Sequence, residues 1–278
     1  MILTKIPLVA VLGSPIAHSK SPLLHNHWLN RYGIKGCYIP VDVTSADLNQ
    51  TLRAMPKMGF VGANITIPHK ESVLTFADQI SDRAALIGAA NTLSFMDDGK
   101  IHADNTDGVG FMENIRQNAP DWLPQNGPAL LLGAGGAARA VAASLLESGV
   151  PEVWITNRTK VRAEQFVIDF GARLKIIDWV NSSQVLGDVN IVINSTSLGM
   201  VGKPPLNINL DRLNRKALVT DLVYTPLDTL LLKAARNNGC DTVDGLGMLI
   251  HQATVGFARW FGRKPEADQA ARNVLLSE

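Results

Sequence analysis

Short apolar runs alternate with helix-like patterns along nearly the whole chain, and no other pattern in the sequence narrows the choice of fold as much. Each run is long enough for one buried strand, and each pattern that follows is long enough for the helix that leads back to a neighbouring strand. Repetition of this unit is typical of a parallel sheet with helices on its faces. The chain is therefore predicted to belong to the α/β class.

The first half of the chain is predicted to form a mixed sheet. Ser21 and Pro22 mark a helix start, with Ser21 as the N-cap and Pro22 at the first helical position. The turn signal Asp97–Lys100 predicts a pair of antiparallel strands, followed by a helix near Val109–Gln117. The predicted strands are Leu8–Gly13, Gly36–Val41, Gly59–Ile65 and Asn91–Phe95, and the predicted helices between them are Ser21–Tyr32 and Ala46–Met55.

The second half begins after the segment Asn118–Pro128, which contains three prolines and marks a domain boundary at or shortly before it. The predicted strands beyond it are Ala129–Leu132, Glu152–Thr156, Leu174–Ile177, Val189–Asn194, Ala217–Asp221 and Cys240–Val243, with a helix ending at Ser148 after the first of them. The last two predicted helices, Leu246–Phe261 and Glu266–Leu276, have no strand left to pair with. We expect them to pack back onto the first domain.

The composition excludes several classes of protein. With 46% hydrophobic residues and a net charge of +1, the chain has neither the composition of a disordered protein nor the basic surface of a nucleic-acid binder. Its two cysteines, Cys37 and Cys240, are far apart in sequence, so no metal site and no redox pair is expected. No apolar run is long enough to cross a membrane, and the N-terminal run up to Leu12 predicts a strand instead of a secretion signal. We expect a soluble, cytoplasmic protein.

The stretch Pro128–Arg139 combines an apolar strand, a glycine-rich turn and an alanine-rich helix. Gly133 permits the tight turn, Gly135 lets backbone N–H groups approach a pyrophosphate, and Ala138 is small enough for close contact between helix and strand. The N-terminus of the helix favours negative charge. The pattern predicts a dinucleotide site here, against the alternative that the glycines serve only ordinary packing.

The end of the next predicted strand distinguishes NADP from NAD. An acidic residue there would bind the ribose 2′-hydroxyl of NAD, but the segment Asn157–Arg162 contains cations and no carboxylate. Arg158 can donate to a 2′-phosphate, and Arg162 lies one helical turn further on. The alternative, a solvated helix start, favours Asp or Glu, because cations oppose the helix dipole at that end. The segment therefore predicts NADP.

Two loops of the first half contain residues suited to binding and proton transfer. Ser19 and Ser21 place two hydroxyls at a helix N-terminus, a good site for a carboxylate, although Ser21 can equally be no more than the cap. Lys70 follows Pro68, which is predicted to open a helix, so its charge would oppose the helix dipole. Lys70 is thus a candidate acid or base, and His69 is the alternative.

A third loop places two carboxylates, Asp104 and Asp107, just before a predicted helix. Each of these loops alone has an ordinary structural explanation, such as capping. Together they place hydroxyl, lysine and carboxylate groups on strand-to-helix loops, where the sites of parallel sheets usually lie. A redox enzyme acting on a hydroxyl needs such groups, because a proton moves when the hydride does.

A set of ordered motifs carries a resemblance to a known family. The motifs are Gly13–Pro22, Asn64–Lys70, Gly88–Thr92, Asp104–Gly108, Gly133–Ala137, Asn157–Arg162, Asn194–Thr196, Tyr224–Pro226 and Asp244–Ala253. Through them the chain resembles the shikimate dehydrogenase family over nearly its whole length. The resemblance implies reversible reduction of 3-dehydroshikimate to shikimate with NADPH, in the pathway to aromatic amino acids.

The resemblance also implies a role for each matching position. Ser19 and Ser21 would hold the substrate carboxylate, and Lys70 with Asp107 would form the proton-transfer pair, with either of them as the acid. The ring substituents would be bound by Thr66, Asn91, Tyr224 and Gln252. The cofactor would be contacted by Gly133, Ala134, Gly135, Gly136, Ala137, Asn157, Arg158, Thr159, Arg162, Leu222, Gly245 and Met248, with Asp82 as a weaker position.

The family architecture implies a discontinuous first domain. Residues 1–107 and 245–278 would form a mixed-sheet α/β substrate-binding and catalytic domain, and residues 108–244 a Rossmann-like doubly wound NADP-binding domain. The expected partners are shikimate and 3-dehydroshikimate, with no metal, nucleic acid or membrane, in a monomer or homodimer. Two alternatives stay open: a quinate/shikimate dehydrogenase, since Tyr38 lies near where such members place a substrate-contacting tyrosine, and a non-catalytic NADP-binding sensor.

Overall fold

The computed structural model describes residues 6–277, so Met1–Lys5 and Glu278, which the predicted first domain includes, lie outside the described residues. Contacts divide the chain into two compact units, which we call unit 1 (Met1–Asp107 with Leu249–Glu278) and unit 2 (Gly108–Met248). The return to unit 1 falls inside a helix, between Met248 and Leu249, whereas the sequence-based boundary stands just before that helix, at residue 245.

Strands and helices alternate along both units and are numbered in chain order. The strands are β1 (Leu8–Gly13), β2 (Cys37–Asp42), β3 (Phe60–Ile65), β4 (Gln79–Ile80), β5 (Thr92–Phe95), β6 (Ile101–Asp104), β7 (Ala129–Leu132), β8 (Val153–Thr156), β9 (Leu174–Ile176), β10 (Ile191–Asn194), β11 (Leu218–Asp221) and β12 (Thr242–Val243). The α-helices are α1 (Ser21–Arg31), α2 (Leu48–Ala54), α3 (Asp82–Ile87), α4 (Asp107–Asn118), α5 (Gly136–Ser148), α6 (Lys160–Phe170), α7 (Leu230–Asn237), α8 (Leu246–Phe261) and α9 (Gln269–Leu276).

Unit 1 contains a mixed sheet in the order β2-β1-β3-β5-β6-β4. Strand β1 is parallel to β2 and β3, while β5 is antiparallel to both β3 and β6. The short β4 pairs in parallel with β6 at the edge. The mixed sheet predicted for the first half of the chain is confirmed.

Apolar side chains cover both faces of the unit 1 sheet. Along β1, Ala10 and Leu12 belong to one buried cluster, and Val9 and Val11 belong to another that includes Trp260. A strand that is buried on both faces has apolar residues at every position instead of every second one. This is why an uninterrupted apolar run marks β1 in the sequence.

The C-terminal segment contributes directly to unit 1. The indole of Trp260 occupies the space beside Gly62, where an added Cβ would lie 2.0 Å from the indole nitrogen. That nitrogen, Nε1, donates to the Leu93 carbonyl at 2.9 Å. On α1, Arg31 pairs with Asp268, the N-cap of α9, at 2.7 Å. Both the end of α8 and the start of α9 are therefore bonded to the first part of the chain.

Unit 2 contains a parallel sheet in the order β12-β11-β10-β7-β8-β9. The chain starts at the central β7, moves outward through β8 and β9, and then returns to build β10, β11 and β12 on the other side. This is the strand order of doubly wound dinucleotide-binding folds, and the direction reverses between β7 and β10. The predicted Rossmann-like architecture is confirmed.

Side chains of β7 pack on both faces of this sheet as well. Ala129 and Leu131 belong to a buried cluster with Ala138 and Val141 of α5, while Leu130 and Leu132 belong to the cluster on the opposite face. Small residues on α5 bring the helix close to the strand, as the sequence pattern predicts. Among residues 6–277, no helix is both long and apolar enough to cross a membrane.

Two local predictions are wrong. Helix α1 begins at Ser21 with Lys20 in the N-cap position, and no side-chain capping bond forms there. No helix opens at Pro68, because the His69 N–H donates to the Thr66 carbonyl and closes a turn at 2.8 Å, and a short 3₁₀ helix over Ser72–Phe76 follows instead. Both corrections concern loops that contain candidate site residues.

Candidate active site

Strand register places several candidate residues of unit 1 at one edge of its sheet. Strand β5 runs antiparallel to β3 and β6, so Thr92 at its start lies opposite Asn64 near the end of β3 and opposite Asp104 at the end of β6. The residues that follow β3 and β6, and Asn91 before β5, are therefore neighbours. This edge corresponds to the carboxyl ends of the parallel strands, where sites of open α/β sheets are found.

Lys70 and Asp107 form an ion pair at this edge. Lys70 Nζ lies 2.5 Å from Asp107 Oδ2, and the two side chains are 17% and 6% exposed. Asp107 is the first residue of α4, and its own N–H donates to the side-chain oxygen of Asn105 at 3.0 Å. The carboxylate thus sits at a helix N-terminus, a position that favours negative charge. The pair can exchange a proton with a group that approaches its nitrogen.

Asn91 holds the carboxylate of this pair from the other side. Its Nδ2 donates to Asp107 Oδ1 at 2.8 Å and lies 3.1 Å from Gln252 Oε1. Its Oδ1 accepts the Thr106 N–H at 2.8 Å, which fixes the orientation of the amide. Lys70, Asn91, Asp107 and Gln252 are thus brought together in unit 1, although they come from four separate segments of the sequence.

The two candidate bases, His69 and Lys70, are adjacent on the loop after β3 but have different partners. His69 is buried, and its Nε2 lies 2.7 Å from the Val43 carbonyl. Lys70, one residue later, has the carboxylate partner. Its carbonyl accepts the Ala90 N–H at 2.7 Å, which ties this loop to the segment that leads into Asn91. The geometry therefore distinguishes Lys70 from His69 as the group that belongs to the cluster.

Ser19, Ser21 and Thr66 lie on loops after β1 and β3. The Ser21 N–H donates to Ser19 Oγ at 3.4 Å, so the two serines are adjacent. Gly13 brings the two loops together, since a Cβ on it would lie 2.5 Å from the Thr66 methyl carbon and 2.9 Å from the Ile67 carbonyl oxygen. The close approach requires glycine at the end of β1.

A second carboxylate, Asp104, is buried at the end of β6 and has two arginine partners. Arg83 lies 2.7 Å from Asp104 Oδ2, Arg259 of α8 bonds to the same oxygen, and Ser81 donates to Oδ1 at 2.6 Å. Burial by itself would raise the pKa of Asp104, but the hydrogen bonds from Ser81, Arg259 and Arg83 outweigh it and lower the pKa to about 2. Asp104 is therefore ionised at neutral pH and anchors the loop that leads to Asp107.

The glycine loop of unit 2 lies where the strand order reverses. Gly133 has a φ of +107°, and a Cβ on it would lie 2.8 Å from Ser195 Oγ and 3.2 Å from the Thr196 nitrogen, both on the loop after β10. At Gly135 an added Cβ would meet nothing within 4 Å. Helix α5 then begins at Gly136 with no acidic residue in its first turn. The backbone N–H groups of that turn thus remain open to an anion.

The loop after β8 presents its cations to solvent. Arg158, Thr159 and Arg162 are exposed, and within residues 6–277 neither arginine forms an ion pair. Asn157 is half-buried and donates to the Thr159 carbonyl at 2.8 Å, which shapes the turn before α6. Two arginines are thus available to an anionic group at this strand end.

The loop after β11 holds the remaining candidates of unit 2. A Cβ on Gly245 would lie 2.5 Å from the Leu222 carbonyl oxygen, so these two residues are in close contact. Met248 is buried in the cluster that Leu222 packs against. Tyr224 is half-buried, and burial raises the pKa of its phenol. Asp82, by contrast, lies in unit 1 as the exposed first residue of α3.

Asp221, at the end of β11, is a buried carboxylate with no cation beside it among the described residues. Its oxygens accept the Asn194 amide at 2.8 Å, the Thr229 hydroxyl at 2.8 Å and the Val223 N–H at 3.0 Å. Burial raises the pKa of Asp221 to about 6, because these three hydrogen bonds offset only part of its effect. The carboxyl group joins β10, β11 and the start of α7 at the edge where Leu222 lies.

Several residues of these networks are not evident from the sequence. Asn64 is a polar residue within the apolar run of β3, and that irregularity is the signal that would have found it. Thr106 lies inside the Asp104–Gly108 motif, yet the motif alone gives it no role. Arg259 and Asp221 have no local signal, because their partners lie on other segments.

Comparison with known proteins identifies the family. Residues 11–93 match the shikimate dehydrogenase substrate binding domain, residues 120–222 the shikimate/quinate 5-dehydrogenase family, and residues 245–275 the shikimate 5′-dehydrogenase C-terminal domain. The chain is 62% identical over 273 residues to the shikimate dehydrogenase (NADP(+)) of Cereibacter sphaeroides, covering 98% of each chain.

Solved structures of this fold give the same result. The quinate dehydrogenase of Corynebacterium glutamicum, solved in complex with NAD, has a TM-score of 0.91 and 30% identity, with 99% of this chain and 100% of that chain covered. The shikimate 5-dehydrogenase of Thermus thermophilus, in complex with NADP(H) and shikimate, has a TM-score of 0.85 and 35% identity, with 97% and 100% covered. With these matches over nearly its full length, the chain belongs to the shikimate dehydrogenase family.

Proposed function

We propose that this protein is an NADP-dependent shikimate dehydrogenase that interconverts 3-dehydroshikimate and shikimate. The observation that carries the proposal is the buried Lys70–Asp107 pair, held by Asn91 within one cluster of unit 1. The chain is 62% identical to the shikimate dehydrogenase (NADP(+)) of Cereibacter sphaeroides over 98% of its length, which supports both the proposed substrate and the proposed cofactor. The reaction belongs to the biosynthesis of aromatic amino acids.

The domain assignment follows from the distribution of these groups. Residues 1–107 and 245–278 are the substrate-binding and catalytic domain, because the hydroxyl, amide, lysine and carboxylate groups of the cluster lie there. Residues 108–244 are the NADP-binding domain, because they contain the glycine loop and the two exposed arginines. The match of residues 11–93 to the family's substrate binding domain supports the first assignment.

Ser19 and Ser21 bind the carboxylate of shikimate, and four further residues bind the substituents of its ring. The two serine hydroxyls lie at the start of α1, where a helix N-terminus also favours an anion. The ring substituents are bound by Thr66, Asn91, Tyr224 and Gln252, which offer hydroxyl and amide groups to the ring hydroxyls. Asn91 and Gln252 are already oriented by their contact with each other.

Lys70 and Asp107 transfer the proton. Both oxygens of Asp107 have partners, Oδ2 at Lys70 Nζ and Oδ1 at the Asn91 amide, and we therefore assign to Lys70 the proton that reaches the substrate. In the reduction Lys70 gives this proton to the ketone oxygen, and in the oxidation it accepts the hydroxyl proton. Asp107 keeps the ammonium group in place and stabilises its charge.

The residues of unit 2 fit NADP. When bound, NADPH supplies the hydride that the ketone carbon receives. Gly133, Gly135 and the N–H groups of Gly136 and Ala137 would hold the pyrophosphate, for which the open side of Gly135 leaves room. Asn157, Arg158, Thr159 and Arg162 bind the adenosine end, and the arginines donate to its 2′-phosphate. The cofactor contacts are completed by Ala134, Leu222, Gly245, Met248 and the weaker position Asp82.

The reaction takes place in the cytoplasm, with the protein as a monomer or homodimer. The two cysteines, Cys37 and Cys240, are free thiols, which suits a reducing compartment. Gel filtration with light scattering measures the oligomeric state.

A panel of two substrates and two cofactors tests the proposal. We expect reduction of NADP in the presence of shikimate, followed by the absorbance of the NADPH that forms when the nicotinamide receives the hydride. Activity with NAD should be much lower, because that cofactor lacks the phosphate that the arginines bind. Comparable turnover of quinate would indicate the broader quinate/shikimate activity. Binding of NADPH without turnover of either substrate would indicate a sensor and overturn the proposal.

A further inference from the structure

The motif Asn194–Thr196, at the carboxyl end of β10, has no role in the function proposed above. Asn194 is the last residue of β10 and is fully buried. In the strand register it lies between Leu132, the last residue of β7, and Asp221, the last residue of β11. The glycine loop follows β7 directly, so the motif adjoins the proposed pyrophosphate site.

Both polar atoms of the Asn194 side chain are fully used in hydrogen bonds. Its Oδ1 accepts the Thr196 N–H at 3.0 Å and the Thr196 hydroxyl at 2.7 Å. Its Nδ2 donates to the Leu198 carbonyl at 3.1 Å and to Asp221 Oδ1 at 2.8 Å. A backbone N–H can only donate and a backbone carbonyl can only accept, so the orientation of the amide is determined. The amide thus closes the loop after β10 and attaches it to β11.

The loop that Asn194 closes is bonded to the end of β7. Ser195 donates twice to the Leu132 carbonyl, from its N–H at 2.9 Å and from its hydroxyl at 2.7 Å. The next residue, Gly133, is in close contact with the same loop, because a Cβ on it would lie 2.8 Å from Ser195 Oγ and 2.9 Å from the Thr196 methyl carbon. The position of Gly133 therefore depends on where Ser195 and Thr196 lie.

We infer that Asn194 is a positioning residue for the pyrophosphate of NADP, because it holds Ser195 and Thr196 against the glycine loop. The inference rests on the proposed function, which places the pyrophosphate at the N–H groups of that loop. Asp221 anchors the amide, since its Oδ1 accepts Asn194 while its Oδ2 accepts the hydroxyl of Thr229, the N-cap of α7. A loop that is fixed in advance does not have to be ordered when the ligand arrives, which reduces the cost of binding.

Asn194→Ala removes the amide that closes the loop. We expect the Kd of NADPH to rise about tenfold, the effect of losing hydrogen bonds that hold the glycine loop in place. Adenosine 2′-phosphate contains neither the pyrophosphate nor the nicotinamide, and its proposed contacts lie on the loop after β8. The variant and the wild type should therefore bind it equally well. Isothermal titration calorimetry measures both dissociation constants.

The two ligands together distinguish positioning from a general loosening of unit 2. Equal weakening of NADPH and adenosine 2′-phosphate overturns the inference, and so does an unchanged Kd for NADPH. If Asn194→Ala has no cooperative thermal unfolding transition, Thr196→Val takes its place. It removes the hydroxyl that bonds to Asn194 and keeps a methyl group beside Gly133, so we expect the Kd of NADPH to rise about threefold, and the same two results overturn the inference.

Asn190→Ala is the matched control. Asn190 precedes β10, at the opposite end of the same strand, and its Nδ2 donates to the Leu123 carbonyl at 2.8 Å. This variant loses a side-chain amide of the same unit, and both dissociation constants should equal those of the wild type. The wild-type measurements separate the two proposals. A wild type that binds no NADPH or is inactive with shikimate overturns the proposed function, whereas an active wild type with an unaffected Asn194→Ala variant overturns only the role of Asn194.

Discussion

The candidate sites of the two units are built from different parts of the chain. In unit 1, the side chains of Lys70, Asn91 and Asp107 hold one another at hydrogen-bonding distance. In unit 2, the glycine loop and the start of α5 offer backbone N–H groups, and the charged residues Arg158 and Arg162 are exposed. Proton transfer needs groups at hydrogen-bonding distance from one another, whereas binding of a phosphate needs N–H donors and positive charge nearby.

The two buried aspartates show the same contrast in electrostatic terms. Asp104 in unit 1 has two arginine partners, and its pKa is lowered to about 2. Asp221 in unit 2 has only uncharged donors, and burial raises its pKa to about 6. Both carboxyls end a strand and support a loop with candidate site residues, but among the described residues only Asp104 has cationic partners.

Removal of the Lys70 ammonium group should have the largest effect on activity. It also removes one member of the side-chain network of unit 1. For Lys70→Ala we expect kcat to fall about 10³-fold, because the proposed proton donor is lost, with little change in the affinity for NADP. Steady-state kinetics with shikimate and a separate titration of NADPH binding measure the two quantities. Lys100→Ala is the control, since Lys100 pairs with Asp98 on the surface of the same unit. If Lys70→Ala reduced kcat and NADPH binding to the same extent, the result would contradict a role of Lys70 in proton transfer alone.

Asp104→Asn tests whether the charge of this residue is needed. We expect a loss of about 3 kcal/mol in the free energy of unfolding at pH 7, because the guanidinium groups of Arg83 and Arg259 lose their buried counter-charge. The lowered pKa predicts the pH dependence: Asp104 stabilises the wild type above about pH 4, and this contribution is lost as the pH falls through about 2. Urea unfolding of both proteins at several pH values measures it. If the difference in the free energy of unfolding between wild type and Asp104→Asn stayed constant down to pH 2, the stabilisation would not come from the charge of Asp104.

Asp221→Asn should change the free energy of unfolding in the opposite direction. The folded protein retains the proton of Asp221 up to about pH 6, whereas the unfolded chain loses it near 3.8, so stability falls as the pH rises between these values. An asparagine side chain at this position cannot ionise, and we expect Asp221→Asn to raise the free energy of unfolding by about 2 kcal/mol at pH 8 and to have little effect at pH 4. Urea unfolding at both pH values checks this. Destabilisation at pH 8 would show that the charge is required in unit 2 as well.

The smallest effect is expected from the exposed cations of unit 2. Arg158→Ala should reduce the preference for NADP over NAD about tenfold, because the contact proposed between this exposed arginine and the 2′-phosphate would be lost. The ratio of kcat/KM for the two cofactors measures it, and the KM for shikimate should not change. Arg215→Ala, an exposed arginine before β11, is the control. If both variants behave alike, the contact is not specific.

The strands were the most predictable part of the fold. Strands β1 and β7 have the predicted bounds, because each is buried on both faces and reads as one apolar run. The short helices α3 and α7 were missed, since neither is long enough for a clear period. Their capping residues, Ser81 and Thr229, accept backbone N–H groups at 3.1 and 3.3 Å, and only this signal marks their starts.

The site was predictable where a local motif carries it, and not where partners come from distant segments. The glycine loop combines strand, turn and helix within a dozen residues, so its structure follows from local rules. The bond from Arg259 to Asp104 spans 155 residues, and that between Asn91 and Gln252 spans 161. No local pattern in the sequence predicts such pairs. The buried Tyr38 hydroxyl of β2 likewise bonds to Asn64 of β3, and β1 lies between these two strands in the sheet.

The bond from Trp260 to the Leu93 carbonyl has a consequence for biosynthesis. The Trp260 indole can pack beside Gly62 in the sheet of unit 1 only after the ribosome has made the whole of unit 2 and most of α8. At about 5–20 residues per second, the nascent first segment waits roughly 10 s or longer with that face uncovered. Unit 2 is contiguous and can complete its own core in the meantime. We therefore expect the sheet of unit 2 to complete its core before the sheet of unit 1 does.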